Sequence, residues 1–180
     1  MHLRRLEPPD AAQYRALRLR GLQDHPDAFT SSFEEESQRS LADAERRLSV
    51  ASRACIWGAF VDGELAGVFG FEREARLKNS HKATLIGMFV APEFSGRRIG
   101  HALVGAVMQN ARDAGISMLV LTVTEGNAKA RALYARAGFQ AIGIEPDAIR
   151  VAGASFGKEH MFFQLSPLLS PTRAPASTDT

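Results

Sequence analysis

Residues 87–104 read GMFVAPEFSGRRIGHALV, and this stretch decides the fold. An apolar run from Ala83 to Val90 has strand character and stops at Pro92. A short loop with Gly96 follows. From Arg98 the residues Ile99, Ala102, Leu103, Ala106, Val107, Asn110, Ala111 and Ala114 recur at helical spacing, up to Gly115 at a C′ position. A strand, a tight loop and a helix N-terminus this close together make anion-binding geometry. The first N–H groups of the helix lack intrahelical partners, and the helix dipole adds about half a positive charge there. Gly96 permits the turn, Gly100 allows close approach to the first helical turn, and Arg97 and Arg98 add charge. The glycine spacing alone fits an ordinary strand-to-helix connection with surface arginines equally well.

Downstream, Ser117 to Val123 is an apolar strand, Asn127 caps a helix through Ala137, Gly138 closes it, and Phe139 to Ile144 returns to strand. A last strand is expected from about His160 to Leu165. Upstream, Ala54–Val61 and Glu64–Phe71 flank Asp62-Gly63, a two-residue type I′ turn signal, and predict a β-hairpin. His2 to Leu6 is strand-like. Asp10, with Gln13 at capping-box distance, is expected to start a helix carrying Tyr14 and Leu17, and Ser40 with Asp43 a second one. Residues 24–37, DHPDAFTSSFEEES, read as a loop or short irregular helix.

With 180 residues, 45% of them apolar and 23% charged, the chain fits a single globular domain over residues 1–165. The Pro/Ser/Thr-rich residues 166–180 are expected to be a disordered tail. The 22 Lys and Arg against 20 Asp and Glu leave a net charge of +2, so nothing in the overall balance points to nucleic acid or an anionic membrane. The single Cys55 excludes an intramolecular disulfide and a multi-cysteine zinc site, and no metal is expected. No apolar run approaches the roughly 18 residues of a membrane span, and MHLRRLEPPD lacks a signal-peptide core, so a cytoplasmic protein is expected.

GMFVAPEFSGRRIGHALV resembles the acetyl-CoA-binding motif of the GCN5-related N-acetyltransferases, GNAT for short. In that motif a strand ending Val-x-Pro leads through Arg/Gln-x-x-Gly-x-Gly/Ala into a helix. Val90, Pro92, Glu93, Gly96, Ile99, Gly100, Ala102 and Leu103 fit it. Ser95 stands where the family prefers Arg or Gln, and Arg98 where it usually has a glycine. The second stretch, NAKARALYARAGFQAIG at 127–143, is similar to the family's Asn-x-x-Ala-x-x-Leu-Tyr-x-x-x-Gly-Phe and carries every marker: Asn127, Ala130, Leu133, Tyr134, Gly138 and Phe139. Asn127 and Tyr134 lie seven apart and share a helix face. Read in isolation, Asn127 is a helix cap and Tyr134 a core tyrosine.

The resemblance implies a mixed α/β fold. Its centre is a mostly antiparallel twisted sheet of about seven strands, with one parallel pair splayed at the cofactor site and about four flanking helices. It implies acetyl-CoA as co-substrate. The amides of Gly96, Arg97, Arg98, Ile99, Gly100 and His101 would hold its pyrophosphate, and the backbone of Met88, Phe89 and Val90 its pantetheine, with a strand-end amide near Val90 as oxyanion donor. Asn127 and Tyr134 complete the cofactor site, and Tyr134 is the candidate acid for the leaving thiolate. Family members that acetylate protein N-termini often carry a glutamate five residues before the asparagine; here that position is Thr122.

Candidate bases are Glu159, the run Glu34-Glu35-Glu36, Glu72, His81 and His101, with Glu159 and the acidic run foremost. The expected reaction is acetyl transfer to a small primary amine, by a monomer or homodimer. The alternatives are a protein lysine or N-terminal acceptor, or a CoA-binding module without catalysis. A nucleotide-binding domain is disfavoured, since neither Gly-Lys-Ser/Thr nor Gly-x-Gly-x-x-Gly occurs.

Overall fold

The computed structural model describes residues 1–165; the expectation for residues 166–180 lies outside them. The strands are β1 (His2–Arg5), β2 (Ala54–Val61), β3 (Glu64–Arg73), β4 (Lys82–Val90), β5 (Met118–Thr124), β6 (Gln140–Val151) and β7 (Ala154–Gln164). The helices are α1 (Ala11–Asp24), α2 (Phe33–Ser37), α3 (Leu41–Leu48), α4 (Ile99–Asp113) and α5 (Ala128–Arg136). One seven-stranded sheet runs in the order β1-β2-β3-β4-β5-β7-β6. Each neighbouring pair is antiparallel except β4 and β5. Among the described residues no helix is long and apolar enough to cross a membrane.

The strand period of two sorts the apolar residues of β2 to β4 between two layers. Phe69, Phe71 and Leu85 pack with Leu103 and Val107 of α4, whereas Ile56, Val68 and Phe89 pack with Tyr14 and Leu17 of α1 and Leu48 of α3. Phe69 and Phe71 are 1% exposed, and burying each stabilises by about 1.5–3 kcal/mol, so β3 is the spine of the molecule.

Several local expectations hold in atomic detail. Asp62 and Gly63 take φ of 52° and 88°, the left-handed pair that a type I′ turn demands. Ser40 and Asp43 exchange both bonds of a capping box at the start of α3.

Within residues 24–37, read as a loop or short irregular helix, Ser32 and Glu35 form a capping box that nucleates α2, so the described residues hold five α-helices where about four were expected. Three details differ. The β6 strand continues past Ile144 to Val151, and β7 starts at Ala154, not His160. The hairpin turns on Ala152 and Gly153, with φ of 47° and 82°, and a shift in pairing near Asp147 interrupts it. Ala-Gly is no turn signal, and residues 140–147 are exposed on both faces, so neither cue for a strand was present.

Asp10, finally, does not cap α1. Its carboxylate accepts from both terminal nitrogens of Arg4 at 2.6 and 2.7 Å and from the Glu7 N–H at 2.9 Å, tying β1 to the 3-10 turn Pro8–Asp10. The Arg4 hydrogen bonds hold the Asp10 carboxyl below its ordinary value, against the opposing effect of burial. A depressed folded pKa adds stability that is present above the unfolded value and is lost as pH falls through the folded one. Asp10→Asn is therefore expected to lower stability by about 1 kcal/mol at pH 7. Urea unfolding should show the gap between variant and parent closing below about pH 4.

Candidate active site

The parallel pair β4–β5 is hydrogen-bonded over three residue pairs only, Lys82–Met118 to Thr84–Val120. Beyond Thr84, β4 pairs with β3 alone, and beyond Val120, β5 pairs with β7 alone. The sheet therefore forks. Along residues 85–90, a stretch that includes Met88, Phe89 and Val90, one edge of β4 has no neighbouring strand, and alternate residues turn their backbone N–H and C=O groups toward it. A bulge at Gly87, with φ of 70°, bends β4 beside the fork.

At the end of β4 the chain passes through the 3-10 turn Pro92–Phe94 into α4. The first backbone bond of that helix runs from the Ala102 N–H to the Arg98 C=O at 3.1 Å. Among the described residues, the six N–H groups of Gly96 to His101 find no backbone carbonyl. Gly96 has φ of 79°, and a Cβ there or at Gly100 would meet little: open space at Gly96, and Leu133 Cδ2 at 3.5 Å at Gly100. Arg98, the departure from the family's glycine, sits at φ 58° as the N-cap of α4. The backbone keeps the conformation a glycine would take, with an exposed arginine paying the steric cost. The Arg97 guanidinium lies 5.5 Å from the centre of the Phe94 ring.

Helix α5 borders the fork on the α4 side. Asn127 is its N-cap: Oδ1 accepts from the Ala130 N–H at 3.0 Å, which realises the capping reading. Tyr134 is 6% exposed, with Phe69 at 6.0 Å and Phe139 at 5.8 Å between ring centres. Burial pushes its phenol well above the ordinary tyrosine value. Its hydroxyl has no hydrogen-bond partner among the described residues. Glu159, opposite Val123, is bound by Arg131 of α5, whose Nε donates to both carboxylate oxygens at 3.2 and 2.9 Å.

The other face of the fork carries groups that the sequence reading passed over. Lys158 and His160 stand opposite Thr124 and Thr122. Lys158 is 4% exposed, and its Nζ donates to Thr124 Oγ1 at 2.7 Å and toward the carbonyls of Asp27 and Ala28 at 3.4 and 3.3 Å. Desolvation lowers its pKa. This lysine ties the segment after α1 to the sheet. His160 Nε2 lies 2.8 Å from Glu145 Oε2, so an imidazole braced by a carboxylate sits beside Thr122. The signal was the alternation in Lys158-Glu159-His160, which becomes readable only when β7 is known to start at Ala154.

The remaining candidates are spread elsewhere. Glu36 is ion-paired with Arg18 at 2.7 Å, not on a solvated face, and Glu72 faces Arg53 at 3.5 Å. Glu35 is spent on the α2 cap. Glu34 and His101 are exposed. His81 contributes its backbone carbonyl to Ser117. Cys55 is buried with its thiol 3.0 Å from Asn110 Oδ1, and burial raises its pKa, so no nucleophile is found there.

The acetyltransferase (GNAT) family profile matches residues 20–139, which span the fork, the amide-lined loop and α5. This chain belongs to the GNAT acetyltransferases. Its GNAT relatives include the aminoglycoside N(6′)-acetyltransferase type 1 of Stenotrophomonas maltophilia, 32% identical over 77% of this chain and 85% of that protein. The streptothricin acetyltransferase of Streptomyces lavendulae is 32% identical over 69% of this chain and 60% of its own length. The YncA protein of Salmonella typhimurium, solved with its cofactor acetyl-CoA, superposes with a TM-score of 0.79 at 19% identity, covering 97% of this chain and 99% of its own. The GNAT fold expected from the motifs is thus the observed one, and acetyl-CoA is the acetyl donor of the family.

Proposed function

We propose that this acetyltransferase moves the acetyl group of acetyl-CoA to a primary amine on a small molecule, acting in the cytoplasm. The observation that carries the reading is the run of six unpartnered amides at 96–101 beside an open β4 edge, with the Tyr134 phenol on the adjoining helix. Pyrophosphate suits the amides and the helix dipole, and pantetheine suits an unpaired strand edge. Small amines are favoured as acceptors by the two antibiotic-acetylating relatives and by Thr122 in place of a glutamate.

In this reading Tyr134 donates its proton to the departing thiolate. The attacking nitrogen becomes acidic once bonded to the acyl carbon, and its surplus proton restores the phenol. A backbone N–H near Val90 meets the oxygen that gains charge. Glu159 takes the proton that frees the amine, with Arg131 aiming its carboxylate. Glu159→Gln is accordingly expected to lower kcat/KM on the order of 10²-fold. His160 is the second reading for the base, favoured by its Glu145 brace on the opposite face. A loss of that size in His160→Asn, with Glu159→Gln unaffected, would move the assignment to the imidazole.

The acceptor class is tested by supplying acetyl-CoA with a panel of aminoglycosides, polyamines and amino acids and reading thiol release. Intact-mass analysis of protein acceptors runs in parallel. Thiol release with a small amine supports the proposal. Acetylated protein without small-amine turnover would replace it, and binding without either would leave a CoA-binding module.

A further inference from the structure

Between α1, the α2–α3 segment and the paired ends of β2 and β3 lies a cavity of about 320 Å³ that shares no residue with the site proposed for acetyl transfer. Six arginines line it: Arg15, Arg18, Arg39, Arg46, Arg47 and Arg53. Among the described residues three carboxylates face them, and each is already committed. Glu36 serves Arg18 at 2.7 Å and Arg39 at 3.4 Å. Asp43 serves Arg46 and caps α3 through Ser40. Glu72 stands 3.5 Å from Arg53 and 3.8 Å from Arg47, ionic contacts without a hydrogen bond to either.

Among the described residues Arg15 has no carboxylate partner, and it donates to the backbone carbonyls of Ser37 and Arg39, the nearest at 2.9 Å. Arg47 Nε is sealed from solvent without an acceptor. Guanidiniums gathered in one recess with half as many carboxylates repel one another and leave N–H donors over. Their planar forks match the paired oxygens of phosphate and carboxylate groups.

We propose that this cavity binds a small, multiply charged oxyanion, a phosphate ester or a polycarboxylate, with Arg47 and Arg53 as its principal holders. The anion draws these two guanidiniums away from their long contacts with Glu72 and supplies the acceptors that the recess lacks. Cationic amines of the kind acetylated at the fork are repelled from it, so its ligand is chemically distinct from the acceptor.

Isothermal titration with inorganic phosphate and with citrate, each against chloride at matched ionic strength, tests this on the full chain and on Arg47→Met and Arg53→Met. The expected result is saturable one-to-one binding of at least one anion, weakened at least tenfold in either variant, with acetyl-CoA affinity unchanged. Arg53 is 57% exposed on its side chain, so its variant keeps the fold even if Arg47→Met does not. Preference between phosphate and citrate identifies the source of the oxyanion. No saturable heat from either anion beyond chloride overturns the proposal, as does binding that both variants leave unchanged.

Discussion

Tyr134→Phe is expected to lower turnover on the order of 10²-fold, about 2.7 kcal/mol of barrier, while acetyl-CoA affinity and thermal stability stay close to the parent values. The size follows from the usual worth of a positioned proton donor, and the clean separation follows from the surroundings of the ring. Phe69 and Phe139 pack against its edges and face, contacts that phenylalanine keeps. The hydroxyl has no hydrogen-bond partner among the described residues, so removing it leaves no buried group orphaned. A drop in stability would therefore not accompany the drop in rate.

The pH profile sharpens this. Burial raises the Tyr134 pKa, which keeps the phenol protonated through neutrality and beyond. An acid of this kind contributes no alkaline limb to kcat below about pH 10, the unperturbed tyrosine value. Steady-state rates of thiol release from pH 6 to 10 check both points. Unchanged turnover in Tyr134→Phe would remove the phenol from the chemistry and leave it as the core tyrosine that an isolated reading of its helix suggests.

Local chemistry made much of the site legible. The turn at Asp62-Gly63, the capping box of Ser40 and Asp43 and the glycines that end α4 and α5 each act over a few residues, and the chain states them directly. The same holds for the amide-lined loop, because a strand stop at Pro92 and a helix start near residue 98 fix where unpartnered N–H groups must lie. Arg98 illustrates the boundary of such reasoning. Its departure from glycine was plain, but whether the backbone would change with it depended on how β4 and α4 are anchored by Phe89, Ile99 and Leu103. The anchors prevail and φ stays positive.

What escaped the sequence is long-range. Glu159 and Arg131 are 28 residues apart, His160 and Glu145 are 15 apart, and Lys158 reaches carbonyls more than 120 positions away. No local period brings these groups together; the β5-β7-β6 order does. The hairpin that positions them was itself obscured, since residues 140–147 of β6 are exposed on both faces and lack the alternation that marks a half-buried strand. The arginine-lined cavity is of the same kind. Its charges come from α1, α2–α3 and two strand ends, and an overall charge of +2 conceals them.

Gly100→Val is expected to abolish measurable acetyl-CoA binding, a loss of at least 10²-fold in affinity, without unfolding the protein. Gly100 lies in the first turn of α4, among the unpartnered amides. A Cβ there meets only Leu133 Cδ2 at 3.5 Å, an ordinary contact, and its φ is that of an ordinary helical residue, so the fold accepts a side chain. Valine's lower cost than glycine in a helix offsets any small adjustment of Leu133. Its two methyl groups, however, stand over N–H groups that a pyrophosphate must approach within about 3 Å, and a helix N-terminus that cannot be approached loses both its donors and its dipole as a binding site.

Gly105→Val, five residues on in the same helix with nothing within 4 Å of its Cβ position, supplies the matching control and should bind acetyl-CoA normally. Calorimetric titration of both variants, with thermal midpoints to verify folding, separates blocked approach from a damaged helix. Normal binding by Gly100→Val would place the diphosphate away from residues 96–101, and equal losses in both variants would assign the effect to the helix rather than to its amides.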